Sequence, residues 1–585
     1  MNHRRSDRRP SSQAPLAIAI AVALFAPRDA LAQRRDAPKV DIRWDRYYDS
    51  DELVVLMNRL RDAWPRFVTL RSLGKSFEGR ELWMLVLNNE ATGDDTGKPA
   101  FYTDANIHGN EVQGGEANLY LAWYLLENHG KVPRITELVD RVALYVLPTV
   151  NVDGRAAWFR EANNSSSQRA PRKPFDDDRD GLLDEDGPND LDGDGELTQM
   201  RKRVPLGEGE WRESQEHPGV MERVPPGQKG DFLLLGSEGI DDDGDGRINE
   251  DGPGYYDMNR NWPSGWNPSY LQGGAGEYPL SHHETRAIAS FILDHPNIAG
   301  VQAFHNAGGM ILRGPGVAEY GEYPSADVQV YDALGKDGEF MLPFYRYMVI
   351  HKDLYSVSGG FVNWTYEGLG IFSFTNEMWS DARMMQSRDA RLSETDRAKW
   401  NDLLLFGDGR TPWTKVEHPL YGEIEVGGWR KLIGRTPPGW LLEEELHRNA
   451  AFVAHHAWHM PLVTLEDLRV RPAPGGLHYV DVTLRNARKI PTRSALAEAR
   501  KLGMPDTLSI TGDGVSVVAG GEPTDRFRPE RIVLQEREPA TLRLERGVPG
   551  EGERKARWIV SGTGAFTIRY AAEKARAASI QGTIE

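Results

Sequence analysis

An imidazole and a carboxylate stand three residues apart in His108-Gly-Asn-Glu111, directly after an apolar run that begins at Phe101. The run predicts a buried strand, and residues 112–128 place apolar side chains at helical spacing, so the pair lies in a strand-to-helix turn. Zinc binds His nitrogen and carboxylate oxygen together, and catalytic zinc sites keep one position open for water. The spacing therefore indicates a catalytic metal site, although a His-x-x-Glu pair on its own is also common on solvated helix faces.

Further residues that could take part in catalysis or binding stand at the ends of later elements. His305 and Glu377 each end an apolar run, and Asn259 and Arg260 lie in a polar turn. A carboxylate beside a metal can serve as general base and acid, and a guanidinium fork grips a carboxylate with two hydrogen bonds. Taken alone, His305 is better explained as a core histidine, and a structural ion pair is the alternative for Arg260.

The elements that must position these residues alternate between strand and helix. Residues 50–64 form an amphipathic helix with Ser50 or Asp51 as its cap, and residues 328–350 are largely helical. Further strands are predicted at 67–73, 81–87 and 141–147. This alternation predicts an α/β fold in which helices cover a central sheet.

An acidic insertion, residues 162–254, interrupts this pattern and contains one segment twice. Both copies place alternate aspartates before a glycine at the sixth position and end in Gly-Pro. Loops of this type wrap Ca²⁺ in oxygen ligands, so the pattern predicts bound calcium with a structural role; an acidic surface loop is the alternative. The candidate ligands are Asp176, Asp178 and Asp180 in the first copy and Asp241, Asp243 and Asp245 in the second. A third copy at 190–195 lacks the closing acid.

The two ends of the chain have their own patterns. Residues 1–32 combine early arginines, an apolar core and a small-x-small site before Gln33, which predicts a cleaved signal peptide and a secreted or periplasmic protein. The apolar core is shorter than the roughly 20 residues that a membrane span requires. Residues 461–585 have short alternating runs separated by glycine and proline, which predicts a small C-terminal β-sandwich.

Length and charge set outer limits on function. The chain has 585 residues, enough for several hydrophobic cores. Its net charge of −17 argues against a nucleic-acid partner. It contains no cysteine, so disulfides cannot stabilise it.

Several motifs, in their order along the chain, resemble the zinc carboxypeptidases, the family that includes the pancreatic digestive enzymes. The matching pieces are Phe77-Glu-Gly-Arg80, His108-Gly-Asn-Glu111, Asn151-Val-Asp153-Gly154, Asn259-Arg260-Asn261-Trp262, His305, Tyr355 with Ser358-Gly359-Gly360, and Ser373-Phe-Thr-Asn-Glu377. The resemblance spans residues 40–460, interrupted by the insertion. It implies a mixed central β-sheet flanked by helices.

The resemblance also implies catalytic roles. His108, Glu111 and His305 would hold Zn²⁺. Glu377 would take a proton from zinc-bound water and deliver it to the leaving amine. Arg201 would stabilise the developing oxyanion.

For the substrate, the resemblance implies that Asn259, Arg260 and Tyr355 bind the free C-terminal carboxylate of a peptide or protein. Val362 would line the pocket for the departing side chain, which favours an apolar or mixed preference over a basic one. The leading hypothesis is an exported, zinc-dependent metallocarboxypeptidase. A zinc amidase or peptidase acting on cell-wall peptides and a non-catalytic, calcium-braced binding protein are the alternatives.

A second cluster of histidines offers a competing metal site. His455 and His459 are four residues apart on a predicted helix, with His456 between them. Such pairs can bind zinc, but no paired glutamate accompanies this one. Histidines of the core or of an interface are the better interpretation.

Overall fold

The computed structural model describes residues 37–176, 179–388, 392–524 and 531–585. The predicted signal peptide, residues 1–32, and the candidate ligand Asp178 lie outside the described residues. Among the helices that are described, none is both long and apolar enough to cross a lipid bilayer.

The N-terminal part of the chain supplies one half of a central sheet and helices that cover it. Its strands are β1 (Val68–Lys75), β2 (Glu81–Leu87), β3 (Ala100–Ala105) and β4 (Ala143–Leu147). Its helices are α1 (Ser50–Ala63), α2 (Gln113–Asn128), α3 (Pro133–Arg141) and α4 (Val152–Arg160). The cap of α1 is Asp49, one residue earlier than predicted: its carboxylate accepts from Glu52 N, while the Glu52 carboxylate accepts from Asp49 N.

The acidic insertion contains strands as well as loops. They are β5 (Gln199–Arg203), β6 (Trp211–Glu213), β7 (Met221–Arg223) and β8 (Phe232–Ser237). The two repeated acidic segments flank these strands and meet at an antiparallel bridge between Asp186 and Asp251.

Residues after the insertion complete the central sheet. Its strands here are β9 (Ile298–Asn306), β10 (Met310–Arg313), β11 (Arg346–Val349) and β12 (Phe372–Met378), and its helices are α5 (His283–Asp294), α6 (Ser325–Met341) and α7 (Phe361–Glu367). The strand order is β1-β2-β4-β3-β9-β12-β10-β11. The inner strands β4, β3, β9 and β12 run parallel, whereas β2 pairs with β4 and β10 with β12 in antiparallel fashion. The predicted mixed sheet flanked by helices is confirmed.

The predicted helix 328–350 is wrong in its second half. Helix α6 ends at Met341, and the chain turns before β11. Pro343 explains the break, because a proline disfavours helical backbone at the residue before it and lacks the N–H that a helix interior needs.

A second, six-stranded sheet joins the insertion to a later part of the chain. After α8 (Asp381–Met385) and α9 (Glu394–Leu404) come β13 (Arg410–His418) and β14 (Gly422–Trp429), followed by α10 (Gly439–Trp458). The strand order is β13-β14-β5-β8-β6-β7, with Glu425 of β14 opposite Arg201 of β5. We call this the accessory sheet. The sequence predicted only an acidic loop insertion here, because its short strands lack an apolar alternation.

The C-terminal residues form two further sheets that share one core. The elements are β15 (Val463–Ala473), β16 (Leu477–Asn486), α11 (Ala495–Arg500), β17 (Asp506–Thr511), β18 (Val515–Pro523), β19 (Ile532–Leu534), β20 (Thr541–Leu544), β21 (Gly552–Gly562), β22 (Gly564–Ala571) and β23 (Ala578–Ile584). The strand orders are β15-β16-β21-β18-β19 and β20-β17-β22-β23. Val480 and Trp558 from the first sheet and Leu508 and Ile568 from the second belong to one buried cluster. This is the predicted sandwich architecture.

Candidate metal centre and substrate cleft

The central sheet brings distant side chains to one edge. Strands β3 and β9 are parallel neighbours, so their carboxyl ends meet. His108 follows the end of β3, Glu111 lies just before α2, and His305 is the penultimate residue of β9. Strand β12 pairs in parallel with β9 and places Glu377 opposite His305. The edge at the ends of these parallel strands is where ligands bind in α/β sheets.

The turn after β3 requires a glycine. A Cβ on Gly109 would lie 2.3 Å from the carbonyl oxygen of Gln168 and 2.7 Å from the carbonyl carbon of Gly154. Only glycine allows backbone to approach this closely. The close packing fixes the direction in which His108 and Glu111 leave the turn.

Three ligand atoms converge at this edge. His108 Nδ1 lies 3.0 Å from Glu111 Oε1, and His305 Nδ1 lies 3.0 Å from Glu111 Oε2. The two Nδ1 atoms are 3.3 Å apart, and no side chain of the three is more than 3% exposed. Ligands at the usual zinc distance in a tetrahedral site are about 3.4 Å apart. The donor set and its spacing therefore fit one zinc ion.

Asp257 contacts the far nitrogen of His108. Its Oδ1 lies 3.0 Å from His108 Nε2, and it also accepts from the backbone N–H of Asn259 at 2.8 Å. Burial alone would raise the pKa of Asp257, but His108, Arg260 and Arg169 together hold it well below its usual value. A charged acceptor at Nε2 leaves Nδ1 free for a metal.

The sequence did not identify Asp257 as the acceptor behind His108. The one signal was its position two residues before Asn259, inside a motif already singled out. An acid in a chain this acidic carries little information until its contacts are known.

Glu377 lies beside the three ligand atoms and is not one of that group. Burial raises the pKa of its carboxyl to about 7, against the opposing effect of His305, and the nearby Glu111 raises it further. A carboxyl that titrates near neutrality can both accept and donate a proton. Its position and its pKa suit the predicted base.

Arg201 does not lie in the cleft, contrary to the prediction. It belongs to β5 of the accessory sheet, where its Nε donates to Glu425 Oε2 at 2.7 Å. Its guanidinium lies 4.1 Å from the ring centroid of Trp413 and 4.4 Å from that of Phe232. The strands of the insertion carry Arg201 away from the metal ligands, so the structure contradicts its assignment to the oxyanion.

Two other arginines reach the ligand group instead. Arg169 Nη1 lies 2.8 Å from Glu111 Oε1, and its Nη2 lies 3.3 Å from Asp257 Oδ2. Arg435 Nη2 lies 3.4 Å from the same Glu111 oxygen. Sequence reasoning missed both: Arg169 stands at the start of the insertion among other basic residues, and Arg435 follows the last recognised motif.

The four predicted substrate-binding residues line the same cleft, which has a volume of about 480 Å³. Asn259 accepts from Phe361 N at 2.9 Å, and its Nδ2 lies 3.4 Å from His305 Nε2. Among the described residues, no carboxylate forms an ion pair with Arg260, whose Nη1 donates to the Asn259 carbonyl. Tyr355 stands at the rim with 54% of its surface exposed, and Val362 is buried in the wall. The cleft thus holds a guanidinium that forms no ion pair within the described part of the chain, although Asp257 is near enough for Arg260 to help lower its pKa.

The acidic insertion brings several candidate calcium ligands together. Asp241, Asp243 and Asp245 form one group of close carboxylates, and Asp180, Glu185 and Asp243 form another that links the two repeats. The side chain of Asp176 accepts from backbone N–H groups of its own loop, including Gly181 N at 3.1 Å, as the Asp241 side chain accepts from Gly246 N at 3.0 Å. The poorer third copy, Asp190, Asp192 and Asp194, is also a close group.

The competing histidines lie apart from the cleft. His456 is fully buried and packs its ring edge-on against Phe101 and Phe374. His455 Nε2 lies 3.0 Å from Asp337, and His459 Nδ1 accepts from the backbone N–H of Lys489. Among the described residues they belong to no group of three metal-binding side chains. These contacts are those of core and interface histidines.

Comparison with known proteins matches the same part of the chain. A family model described as zinc carboxypeptidase matches residues 53–183 and 241–402, half of the chain. The gap between the two matched segments contains strands β5–β8 of the accessory sheet. A second model, described as a domain of unknown function, matches residues 462–583.

Individual relatives cover the chain in part. Carboxypeptidase D of Homo sapiens is 36% identical over 103 residues, 18% of this chain and 8% of that protein. Carboxypeptidase A1 of Rattus norvegicus is 22% identical over 343 residues, 57% of this chain and 62% of that protein. The crystal structure of carboxypeptidase A from Helicoverpa armigera is similar with 18% identity and a TM-score of 0.44, covering 72% of this chain and 76% of that one. The chain spans less than two thirds of these two curated relatives. On the match of the family model, the chain belongs to the zinc carboxypeptidase family.

Proposed function

We propose that this protein is an exported, zinc-dependent carboxypeptidase that hydrolyses the C-terminal peptide bond of peptides. One observation carries the proposal: a single cleft contains the group His108, Glu111 and His305, the carboxyl of Glu377 beside it, and the guanidinium of Arg260. A metal, a base and a carboxylate-binding cation are the three components that this reaction needs.

The residues around the metal would divide the work. Zinc, when bound by His108, Glu111 and His305, supplies Lewis-acid chemistry that polarises a carbonyl and acidifies water. Glu377 accepts a proton from the attacking water and donates it to the nitrogen of the departing residue. Arg169, whose guanidinium lies beside Glu111, is the cation best placed to stabilise negative charge on the carbonyl oxygen. It takes the role that the sequence assigned to Arg201.

The other residues of the cleft would select the substrate. Arg260 and Asn259 bind the free carboxylate, because a guanidinium fork matches its geometry. Tyr355 at the rim closes over that end. Buried Val362 in the wall favours an apolar or mixed side chain on the departing residue over a basic one.

Release of free amino acids from peptides with free or amidated C-termini, with and without a chelator, tests the proposal. We expect release from the free acid only, loss of release with the chelator, and its return with zinc. Equal hydrolysis of both peptides supports the alternative, a zinc amidase or peptidase acting on cell-wall or other peptides. No turnover with zinc restored supports a non-catalytic, calcium-braced binding protein.

Two further parts of the proposal have separate tests. Export predicts that the mature protein begins at Gln33, which N-terminal sequencing of the protein from its native source would establish; a chain that retains residues 1–32 contradicts it. Calcium binding by the acidic insertion predicts a higher melting temperature with Ca²⁺ at fixed zinc, and a loss of that increase on Asp243→Asn. Equal melting temperatures with and without Ca²⁺ contradict it.

A further inference from the structure

Arg435 reaches the cleft from outside the part of the chain that the family model matches. It lies between strand β14 of the accessory sheet and helix α10. Its guanidinium donates to the carbonyl oxygen of Asn306, and its own carbonyl oxygen lies 3.3 Å from Asn306 Nδ2 and 3.5 Å from Gln113 Nε2. Contacts at both ends of the residue hold the guanidinium at the wall of the cleft.

The charge of Arg435 is only weakly neutralised. Its one ion-pair partner among the described residues is Glu111 at 3.4 Å, and that carboxylate also binds Arg169 at 2.8 Å. Its Nε is buried without a hydrogen-bond partner, while 31% of the side chain is exposed. If Glu111 is a metal ligand, the other carboxyl that lines the cleft with Arg435 within the described part of the chain is Glu377, which forms no ion pair with it.

A second cavity of about 430 Å³ adjoins the cleft near Arg435. It shares Ala307 and Met310 with the first cleft, and Gly434, the residue before Arg435, lies in its wall. Asn259, Arg260 and Tyr355 do not line it, so it lies away from the site proposed for the terminal carboxylate. We call it the acyl-side cavity.

The acyl-side cavity is basic. Arg346 and Arg388 line it, and among the described residues neither has a carboxylate within ion-pair distance. Among the described residues one acid, Asp381, also lines it; its contact with Arg397 at 3.9 Å is weak, so two guanidiniums face one carboxylate there. With Arg435 at the entrance, three guanidiniums line the path out of the cleft.

We propose that the acyl-side cavity binds the residues on the N-terminal side of the scissile bond and selects acidic side chains there. The inference rests on the proposed function for the direction of the substrate. A peptide held at its C-terminus by Arg260 must leave the metal ligands by another route, and the acyl-side cavity adjoins the cleft at Ala307 and Met310. Guanidiniums that lack strong resident partners bind a carboxylate more tightly than its neutral isostere.

The test compares acetylated tripeptides with the same C-terminal leucine and two preceding Glu, Gln or Lys residues. We expect kcat/KM for the Glu peptide to exceed that for the Gln peptide about tenfold, as for one charge-assisted hydrogen bond. The Lys peptide should be the poorest, and the preference should weaken as ionic strength rises. Arg435→Gln and Arg346→Gln should each lower the Glu-to-Gln ratio toward one.

Arg430→Gln is the matched control, because Arg430 lies in the same segment but pairs with Asp408 at 3.0 Å outside both cavities. It should keep the wild-type ratio. A Glu-to-Gln ratio near one in the wild type, or an unchanged ratio in both Arg435→Gln and Arg346→Gln, overturns the inference. Calorimetry of the same peptides with the Glu377→Gln protein measures the ratio as affinity, so selectivity is tested even if no peptide is cleaved. Absence of cleavage with tenfold tighter binding of the Glu peptide would count against the proposed reaction alone.

Discussion

Replacing Asp257 by Asn should weaken zinc binding without disturbing the three ligands. The substitution keeps the size of the side chain but removes the charge that faces His108 Nε2 at 3.0 Å and Arg169 Nη2 at 3.3 Å. Loss of an acceptor behind a metal-binding His typically costs 10- to 100-fold in metal affinity, or about 1.4–2.8 kcal/mol. We expect a loss in this range, because the Asp257 carboxylate contacts the far nitrogen of His108 directly.

Competition between the protein and a zinc chelator measures this loss directly. Asp140→Asn is the matched control, since Asp140 lies 2.9 Å from His129 Nε2 in the same kind of carboxylate–imidazole pair. Neither residue of this pair lines the cleft. The control should keep wild-type zinc affinity. If Asp257→Asn binds zinc within a factor of two of the wild type, the assignment of Asp257 as the orienting acceptor is wrong.

Three other changes separate the roles of the cleft residues. Glu377→Gln should retain zinc yet lower kcat about 10²- to 10⁴-fold, and full activity would refute the base assignment. A base must be deprotonated to act, and burial raises the pKa of Glu377 to about 7 in the metal-free protein. Wild-type kcat/KM should therefore fall as the pH drops below about 7. Bound zinc can only lower this pKa, so a fall that begins well above pH 7 would contradict the assignment. Arg260→Gln should cost about 1.5–3 kcal/mol in kcat/KM for free-acid peptides and remove the discrimination against amidated ones; retained discrimination would place the carboxylate elsewhere. Arg201→Gln should lower stability by about 0.5–3 kcal/mol in denaturant titrations while the folded enzyme keeps its kcat, whereas a fall in kcat at full stability would restore Arg201 to the reaction.

The central sheet could be predicted because its inner strands are buried on both faces and read as continuous apolar runs. The accessory sheet could not, because its strands β5–β8 are short and it joins segments more than 200 residues apart, such as those of Arg201 and Glu425. Pairing at that distance leaves no local pattern. The helix predicted over residues 328–350 ends at Met341 because Pro343 follows. This local signal was present in the sequence, but the prediction did not use it.

Some residues of the candidate site could likewise be predicted from the sequence, and others could not. His108, Glu111, His305 and Glu377 were predicted because each lies in or just after a strand, in an order that matches a known family. Their spacing in the structure fits the zinc role, which stays a prediction until the metal is measured. Arg435 and Asp257 could not be assigned, since their roles depend on contacts between segments rather than on any spacing within one.

Anomalous diffraction at the zinc edge from crystals of the purified protein would locate the metal itself. We expect one zinc site with His108 Nδ1, a Glu111 oxygen and His305 Nδ1 each about 2.0–2.2 Å from the ion. A zinc ion bound elsewhere, in the acidic insertion or at His455 and His459, with these three side chains left without metal, would contradict this expectation.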